Sequence, residues 1–133
     1  RQRPEMAISK FTDQILRDEP IDLYAEGESL RDYTYIDDII DGIMAVRPTN
    51  YAYEVMNLGR SDTVRLSDLI ALLEQTLGRK AKIRLAPSQP GDVERTFADI
   101  TKARRLLGFA PRVAIADGLR KYVDWYLNKR AAQ

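Results

Sequence analysis

IDLYAEGESLRDYTYIDDIIDGIMAV, Ile21 to Val46, changes its pattern three times in one short stretch. Ile21 to Tyr24 reads as a short strand, and the turn signal Glu26-Gly27-Glu28-Ser29 ends it. Arg31 to Ile36 (RDYTYI) is rich in aromatic and β-branched residues and predicts a second extended piece. Ile39, Ile40, Ile43, Met44 and Val46 then recur with helical spacing. Asp37 is predicted as the N-cap of that helix, with Asp37 and Asp38 at the positive end of its dipole, and Arg47-Pro48 stops it. Strand, turn, strand and helix in immediate succession argue for an α/β or α+β chain.

The flanks extend the same reading. Upstream, Ile8, Phe11 and Ile15 mark one face of a helix from Pro4 to Arg17, broken by Asp18-Glu19-Pro20. Downstream, Tyr53 to Leu58 predicts a strand closed by Gly59. Ser67 is predicted to cap a helix whose Leu69, Ile70, Leu72, Leu73 and Leu77 form a broad apolar face before Gly78. Ile83 and Leu85 alternate with Lys82 and Arg84, the pattern of a half-buried strand over 81–86. Pro87 to Gly91 is rich in turn formers, and Val93 to Phe97 is extended. Asp99 is predicted to cap a short helix ending at Gly108. A final helix from Ala114 to Arg130 carries Ile115, Leu119, Tyr122, Val123 and Tyr126. With no internal repeat, linker or shift in composition, residues 1–133 read as a single domain.

Composition narrows the function classes. Hydrophobic residues make up 44% and charged residues 31%, as in a soluble globular domain. Twenty-one Lys and Arg against 20 Asp and Glu give no field that would draw nucleic acid or an anionic membrane. The chain has no Cys and no His, which excludes thiolate and imidazole chemistry within it: no Cys nucleophile, no His-based triad, no zinc site of either ligand. No apolar run is long enough to cross a membrane, and RQRPEMA is no signal peptide, so a cytoplasmic location is expected. Arg1 in place of Met suggests a processed chain or an expressed fragment.

The seven glycines stand at 27, 42, 59, 78, 91, 108 and 118, so neither G-x-G-x-x-G nor a P-loop can be built from them. No Tyr has a Lys four residues later, the spacing that would place a proton-transfer pair on one helix face. What remains is a set of charged and aromatic residues in irregular segments. Arg31 can grip a diphosphate at a cleft rim, or it can be a surface arginine paired with a neighbouring Asp. Asp92 after Gly91 can accept two ribose hydroxyls, or it can be ordinary turn chemistry. Tyr24 and Phe11 can sandwich a base or belong to the core. Asp37 with Asp38 can bind a metal or act as acid and base, but a helix N-terminus already explains them. Lys102, Arg104 and Arg105 read as the solvated face of a short helix.

Taken together, several segments resemble the carboxy-terminal part of extended short-chain dehydrogenase/reductases, the nucleotide-sugar epimerases and dehydratases. These are RPEMA at Arg3 to Ala7, LYAEGESLRDYTYIDDIIDGI at Leu23 to Ile43, VMNLG at Val55 to Gly59, and QPGDVERTFADITKARRLLGFAP at Gln89 to Pro111. RPEMA and QPGDVERTFAD look most like the UDP-glucuronate 4-epimerase branch. The resemblance implies a helix-rich carboxy-terminal lobe with short strands, lacking the Rossmann core that carries NAD and a Tyr-x-x-x-Lys pair. On that reading no cofactor is held by this chain, and NAD and the Rossmann domain belong to the full-length parent. Arg31 would then clamp the diphosphate, and Asp92, with the backbone from Gln89 to Gly91, would hold the ribose. Asp22, Leu23 and Tyr24 match the stretch that receives uracil through main-chain hydrogen bonds, with Phe11 nearby. Arg3 would lie near the sugar or its phosphate. Gln89 stands where several relatives have a second arginine, a loss that Arg95 can offset.

The resemblance implies the UDP-sugar-binding part of an NAD-dependent epimerase acting at C4 through a keto intermediate, with UDP-glucuronate or UDP-galacturonate as substrate. A dehydratase or decarboxylase parent, or a binding module without catalysis, are the alternatives. In the family the strand matching Tyr53 to Leu58 joins the Rossmann sheet, so its edge is expected to stand open here. The helix of Ile39, Ile40, Ile43, Met44 and Val46 has more apolar surface than one narrow face can bury. Alone, the chain is expected to form a non-native homo-oligomer through these surfaces.

Overall fold

The computed structural model describes residues 6–87, 91 and 93–131. Helix α1 (Ala7–Leu16) leads into strand β1 (Pro20–Tyr24), a single 3₁₀ turn (Ala25–Gly27), and strand β2 (Leu30–Arg31). Helix α2 (Ile36–Val46) is followed, after a long irregular stretch, by strand β3 (Val64–Arg65) and helix α3 (Leu66–Leu77). Strands β4 (Lys82–Ala86) and β5 (Arg95–Thr96) and helices α4 (Thr101–Leu107) and α5 (Ile115–Ala131) complete the chain. This is the mixed α/β lobe with short strands that the sequence predicts.

Two small sheets organise it. β1 pairs parallel with β4 in the register Pro20 to Lys82 through Tyr24 to Ala86. β2 lies between β3, antiparallel, and β5, parallel. The main core joins Phe11 and Ile15 of α1, Ile21 and Leu23 of β1, Leu69, Ile70 and Leu73 of α3, and Leu119 and Val123 of α5. Fully burying such a side chain is worth about 1.5–3 kcal/mol each, which fixes β1 between three helices. A second cluster of Ile100, Ala103 and Phe109 packs against Met56 and Leu58. Gly78 and Gly108 end their helices with left-handed φ of 63° and 65°, the C-terminal stops read in the sequence.

Four expectations are corrected. Tyr53 to Leu58 is not a strand. No ladder partner pairs with it among the described residues, Tyr53 and Val55 are 85% and 60% exposed, and Met56 and Leu58 are packed from the side. An apolar pattern makes a strand only where a neighbour supplies hydrogen bonds. Residues 82–86 do form a strand, but it is not half-buried: Ile83 and Leu85 are 44% and 68% exposed, since β4 is an edge strand paired with β1 alone among the described residues. The extended RDYTYI piece is a strand only at Leu30–Arg31, since β3 and β5 are each two residues long.

Finally, the helix starts move. Tyr35 is the N-cap of α2 and Arg65 that of α3, so Asp37 and Ser67 lie in the first turns. β3 runs directly into α3, and the Leu66 N–H donates to the Ser29 carbonyl at 3.0 Å, which replaces a side-chain cap. Asp99 stands one residue before the N-cap of α4, where its Oδ1 accepts the Thr101 N–H at 2.9 Å. Asp37 and Asp38 part company on α2. Asp37 is exposed and pairs with Lys121 at 3.2 Å, whereas Asp38 is 2% exposed and accepts the N–H groups of Arg112 and Val113 at 2.9 and 3.1 Å.

Candidate functional site

A cleft of about 1040 Å³ opens between α1, β1, the 3₁₀ turn, β2 and β5. Phe11 reaches it from α1, Asp22 and Tyr24 from β1, Arg31 from β2 and Arg95 from β5, so five of the nine candidate residues line one cavity. Leu23 does not. Strand alternation turns its side chain into the core, where it is 7% exposed, and only its main chain can face a ligand. Arg3, Gln89 and Asp92 lie outside the described residues.

The rim is held by a strained turn. Ala25, Glu26 and Gly27 follow one another at φ of 46°, 52° and 78°, a conformation that costs a non-glycine residue roughly 1–2 kcal/mol. Gly27 needs to be glycine twice over, since a Cβ there would stand 3.1 Å from Leu23 Cδ1 and from Ser67. The turn carries the chain from Tyr24 at the end of β1 into β2, and Tyr24 and Arg31 both line the cleft.

Arg31 is aimed by main chain. Its Nη1 donates to the Leu30 carbonyl at 2.9 Å and to the Glu94 carbonyl at 3.3 Å. Among the described residues no carboxylate lies within 4 Å of its guanidinium. Two acids of the cleft, Asp22 and Glu28, are engaged with other cations. Arg84 grips both oxygens of Asp22, one of them at 2.9 Å, and that hydrogen bond holds the Asp22 carboxyl below the usual carboxylate range. Glu28 pairs with Arg65 at 3.3 Å. Arg95 stacks its guanidinium 4.6 Å from the centre of the Phe97 ring while still lining the cleft. Tyr33 also reaches the cleft; burial pushes its hydroxyl pKa up, against the opposing charge of Arg31.

The sequence reading missed Lys10, Asp32 and Glu94, which share the cleft. Lys10 lies one position from the predicted Phe11 on α1, and a helix whose one face is core gives no sign that its flank meets a strand edge. A second groove, about 510 Å³, lies between α2 and α5 and is walled by Tyr33, Tyr35, Tyr122 and Trp125. Its cation, Lys121, is already placed on Asp37 and over the Tyr35 ring, and none of the six described candidates lines it. The first cleft therefore has the chemistry: cations facing a cavity, an aromatic wall and free strand main chain, which suit a phosphorylated ligand with a planar base.

The family of GDP-mannose 4,6 dehydratases matches residues 1–122. The chain belongs to this family. An uncharacterised protein of Methanocaldococcus jannaschii is 43% identical over 96% of the chain and 39% of its own length. A UDP-glucuronate 4-epimerase of Thermodesulfobacterium geofontis is 38% identical over 92% of the chain and 38% of its own length. Among solved structures, UDP-glucuronic acid 4-epimerase from Bacillus cereus, in complex with UDP-glucuronic acid and NAD, superposes with a TM-score of 0.84. It is 37% identical and is covered over 95% of this chain and 42% of that one. The chain thus spans about two-fifths of the length of the curated relatives it matches. The resemblance carried by RPEMA and QPGDVERTFAD holds, and the family members that this chain is similar to include UDP-glucuronate 4-epimerases. No helix among the described residues is long and apolar enough to cross a membrane.

Proposed function

We propose that this chain supplies the UDP-sugar-binding part of an NAD-dependent nucleotide-sugar epimerase acting on UDP-glucuronate or its C4 epimer. One observation carries the reading: Arg31, aimed by two main-chain carbonyls and left without a carboxylate partner among the described residues, faces the cleft that Tyr24 and Phe11 also line. A guanidinium so placed is set for bidentate contact with a diphosphate. Asp22 to Tyr24 offer main chain for the uracil, Arg95 lines the same cleft as a second cation, and Arg3, Gln89 and Asp92 are assigned to the sugar and ribose end.

The residues of this chain do not fit NAD itself. No two of its glycines have the spacing of a dinucleotide loop. Gly42, Gly59 and Gly118 are used instead for close packing, against Leu58 and Phe109, Ala98, and Tyr35 respectively. NAD and the C4 chemistry are therefore assigned to a Rossmann part outside this sequence, and no catalytic step is derived from the residues in hand. The family match to 4,6 dehydratases supports a second reading, in which the same cleft serves a dehydratase; a dehydratase expels a C6 hydroxyl that glucuronate lacks, so product analysis with UDP-glucuronate and with a nucleotide hexose that carries this hydroxyl separates the two.

The test is Arg31→Ala in the complete enzyme. UDP and UDP-sugar binding are expected to weaken by about 1.5–3 kcal/mol, the range for a hydrogen bond to a charged group. NAD affinity is expected to stay unchanged. Equal loss of both ligands, or no loss of UDP, overturns the reading.

A further inference from the structure

The residue next to the proposed clamp has no ligand role in this reading, yet it is the most heavily hydrogen-bonded carboxylate among the described residues. Asp32 Oδ1 accepts the Thr34 hydroxyl at 3.0 Å and the Arg60 N–H at 3.1 Å. Its Oδ2 accepts the N–H groups of Ser61 at 2.9 Å and Ala98 at 3.2 Å. All four donors are neutral, and three are main chain. An amide fits less well than the carboxylate, because whichever way it turns its NH₂ faces at least one main-chain N–H, of Arg60 or of Ser61 and Ala98.

The position of those donors matters more than their number. The Asp32 N–H also donates to the Thr96 carbonyl at 3.1 Å, and the Leu30 N–H to the Glu94 carbonyl at 2.8 Å. These bonds set the parallel register of β2 with β5, Leu30 beside Arg95 and Arg31 beside Thr96. β5 is only two residues long, so its ladder alone holds it weakly. The Asp32 carboxylate pins the chain just beyond it, at Ala98. Packing there is close: a Cβ on Gly59 would stand 2.6 Å from Ala98 Cβ and 3.0 Å from Asp32 Oδ2. The pinned segment carries Arg95 and the Glu94 carbonyl that aims Arg31.

We propose that Asp32 is a positioning residue for diphosphate recognition: it fixes β5 against β2 so that the Glu94 carbonyl orients the Arg31 guanidinium. This rests on the assignment of the cleft to a UDP-sugar. A residue that acts through Arg31 affects the diphosphate and spares the base. It also has no separate effect once Arg31 is gone.

The experiment is calorimetric titration of the complete enzyme with UDP and with uridine, for the parent, Asp32→Asn, Arg31→Ala and the double variant. Asp32→Asn is expected to weaken UDP about tenfold, as for one misaligned hydrogen bond to a charged group, and uridine by less than about twofold. In the Arg31→Ala background it is expected to add little. Equal losses for UDP and uridine, additive effects of the two substitutions, or unchanged UDP affinity each overturn the proposal. If Arg31→Ala leaves UDP binding intact, the cleft assignment falls first and the Asp32 role with it. Should Asp32→Asn fail to fold, Thr34→Val removes one donor and keeps the carboxylate. It is expected to give a smaller split of the same sign, and an even loss for both ligands counts against positioning.

Discussion

Two adjacent carboxylates on α2 offer a sharp test of how the fold is held. Asp38 is 2% exposed and receives the N–H groups of Arg112 and Val113 at 2.9 and 3.1 Å, tying α2 to the segment that enters α5. Asp38→Asn keeps the shape but turns an NH₂ toward one of those donors. One hydrogen bond to a charged acceptor is lost, worth about 1.5–3 kcal/mol, and one N–H is left unpaired at about 1–3 kcal/mol. Relief of the cost of burying a charge offsets part of this, so a net loss of about 2–4 kcal/mol is expected. For a chain of this size that lowers Tm by roughly 6–15 °C. Asp37→Asn serves as the control. Its partner Lys121 is 3.2 Å away with both side chains more than half exposed, and such pairs contribute about 0–1 kcal/mol. Urea and thermal unfolding of the two variants side by side measure the difference. Equal effects, or an Asp38→Asn loss below about 0.5 kcal/mol, would refute the claim that the buried carboxylate braces the α2 junction.

Acid is expected to loosen the fold. Hydrogen bonds from Lys80 and the Ala81 N–H hold Glu74 below the usual carboxylate range, and Asp22, Glu54 and Asp99 are lowered in the same way. A carboxyl whose folded pKa lies below its unfolded value contributes stability above the unfolded value and loses it as pH falls toward the folded one. The urea midpoint should therefore hold from neutrality to about pH 5 and drop below about pH 4, with a shallower drop in Glu74→Gln; an identical drop in that variant would exclude Glu74 as a contributor. The isolated chain should also self-associate. Ile36, Ile40, Ile43 and Met44 form one exposed stripe on α2, 57%, 47%, 51% and 47% accessible, and Ile40→Lys with Ile43→Glu should restore a monomer. A monomeric parent chain in sedimentation at high micromolar concentration contradicts this.

Where local pattern and long-range packing agree, the fold was legible. Phe11 and Ile15 on α1, the glycine stops at Gly78 and Gly108, and the extent of α5 all follow from spacing within a few residues. The helix starts were not legible, because β3 passes into α3 through a bond from Leu66 to Ser29 that no local motif encodes. Tyr53 to Leu58 has strand composition without a strand partner among the described residues, a fact of neighbours that composition cannot carry. In the cleft, spacing alone leaves Arg31 ambiguous between clamp and surface pair, and the resemblance favours the former; what the geometry adds is the two main-chain carbonyls that hold its guanidinium. Asp32 gave no signal at all, since its main-chain donors lie 28, 29 and 66 residues away.

The parallel pairing of β1 with β4 has a consequence for the order of events during synthesis. Asp22 and its partner Arg84 are 62 residues apart, and closing a loop of that length costs about 4 kcal/mol of chain entropy. Until Ala86 has emerged, β1 has no strand beside it. Until Thr96 has followed, the Glu94 carbonyl is not available to Arg31. A nascent chain can therefore form α1, α2 and much of α3 while the cleft does not yet exist. A ribosome stalled short of Thr96 would display the arginine with the Leu30 carbonyl alone to hold it.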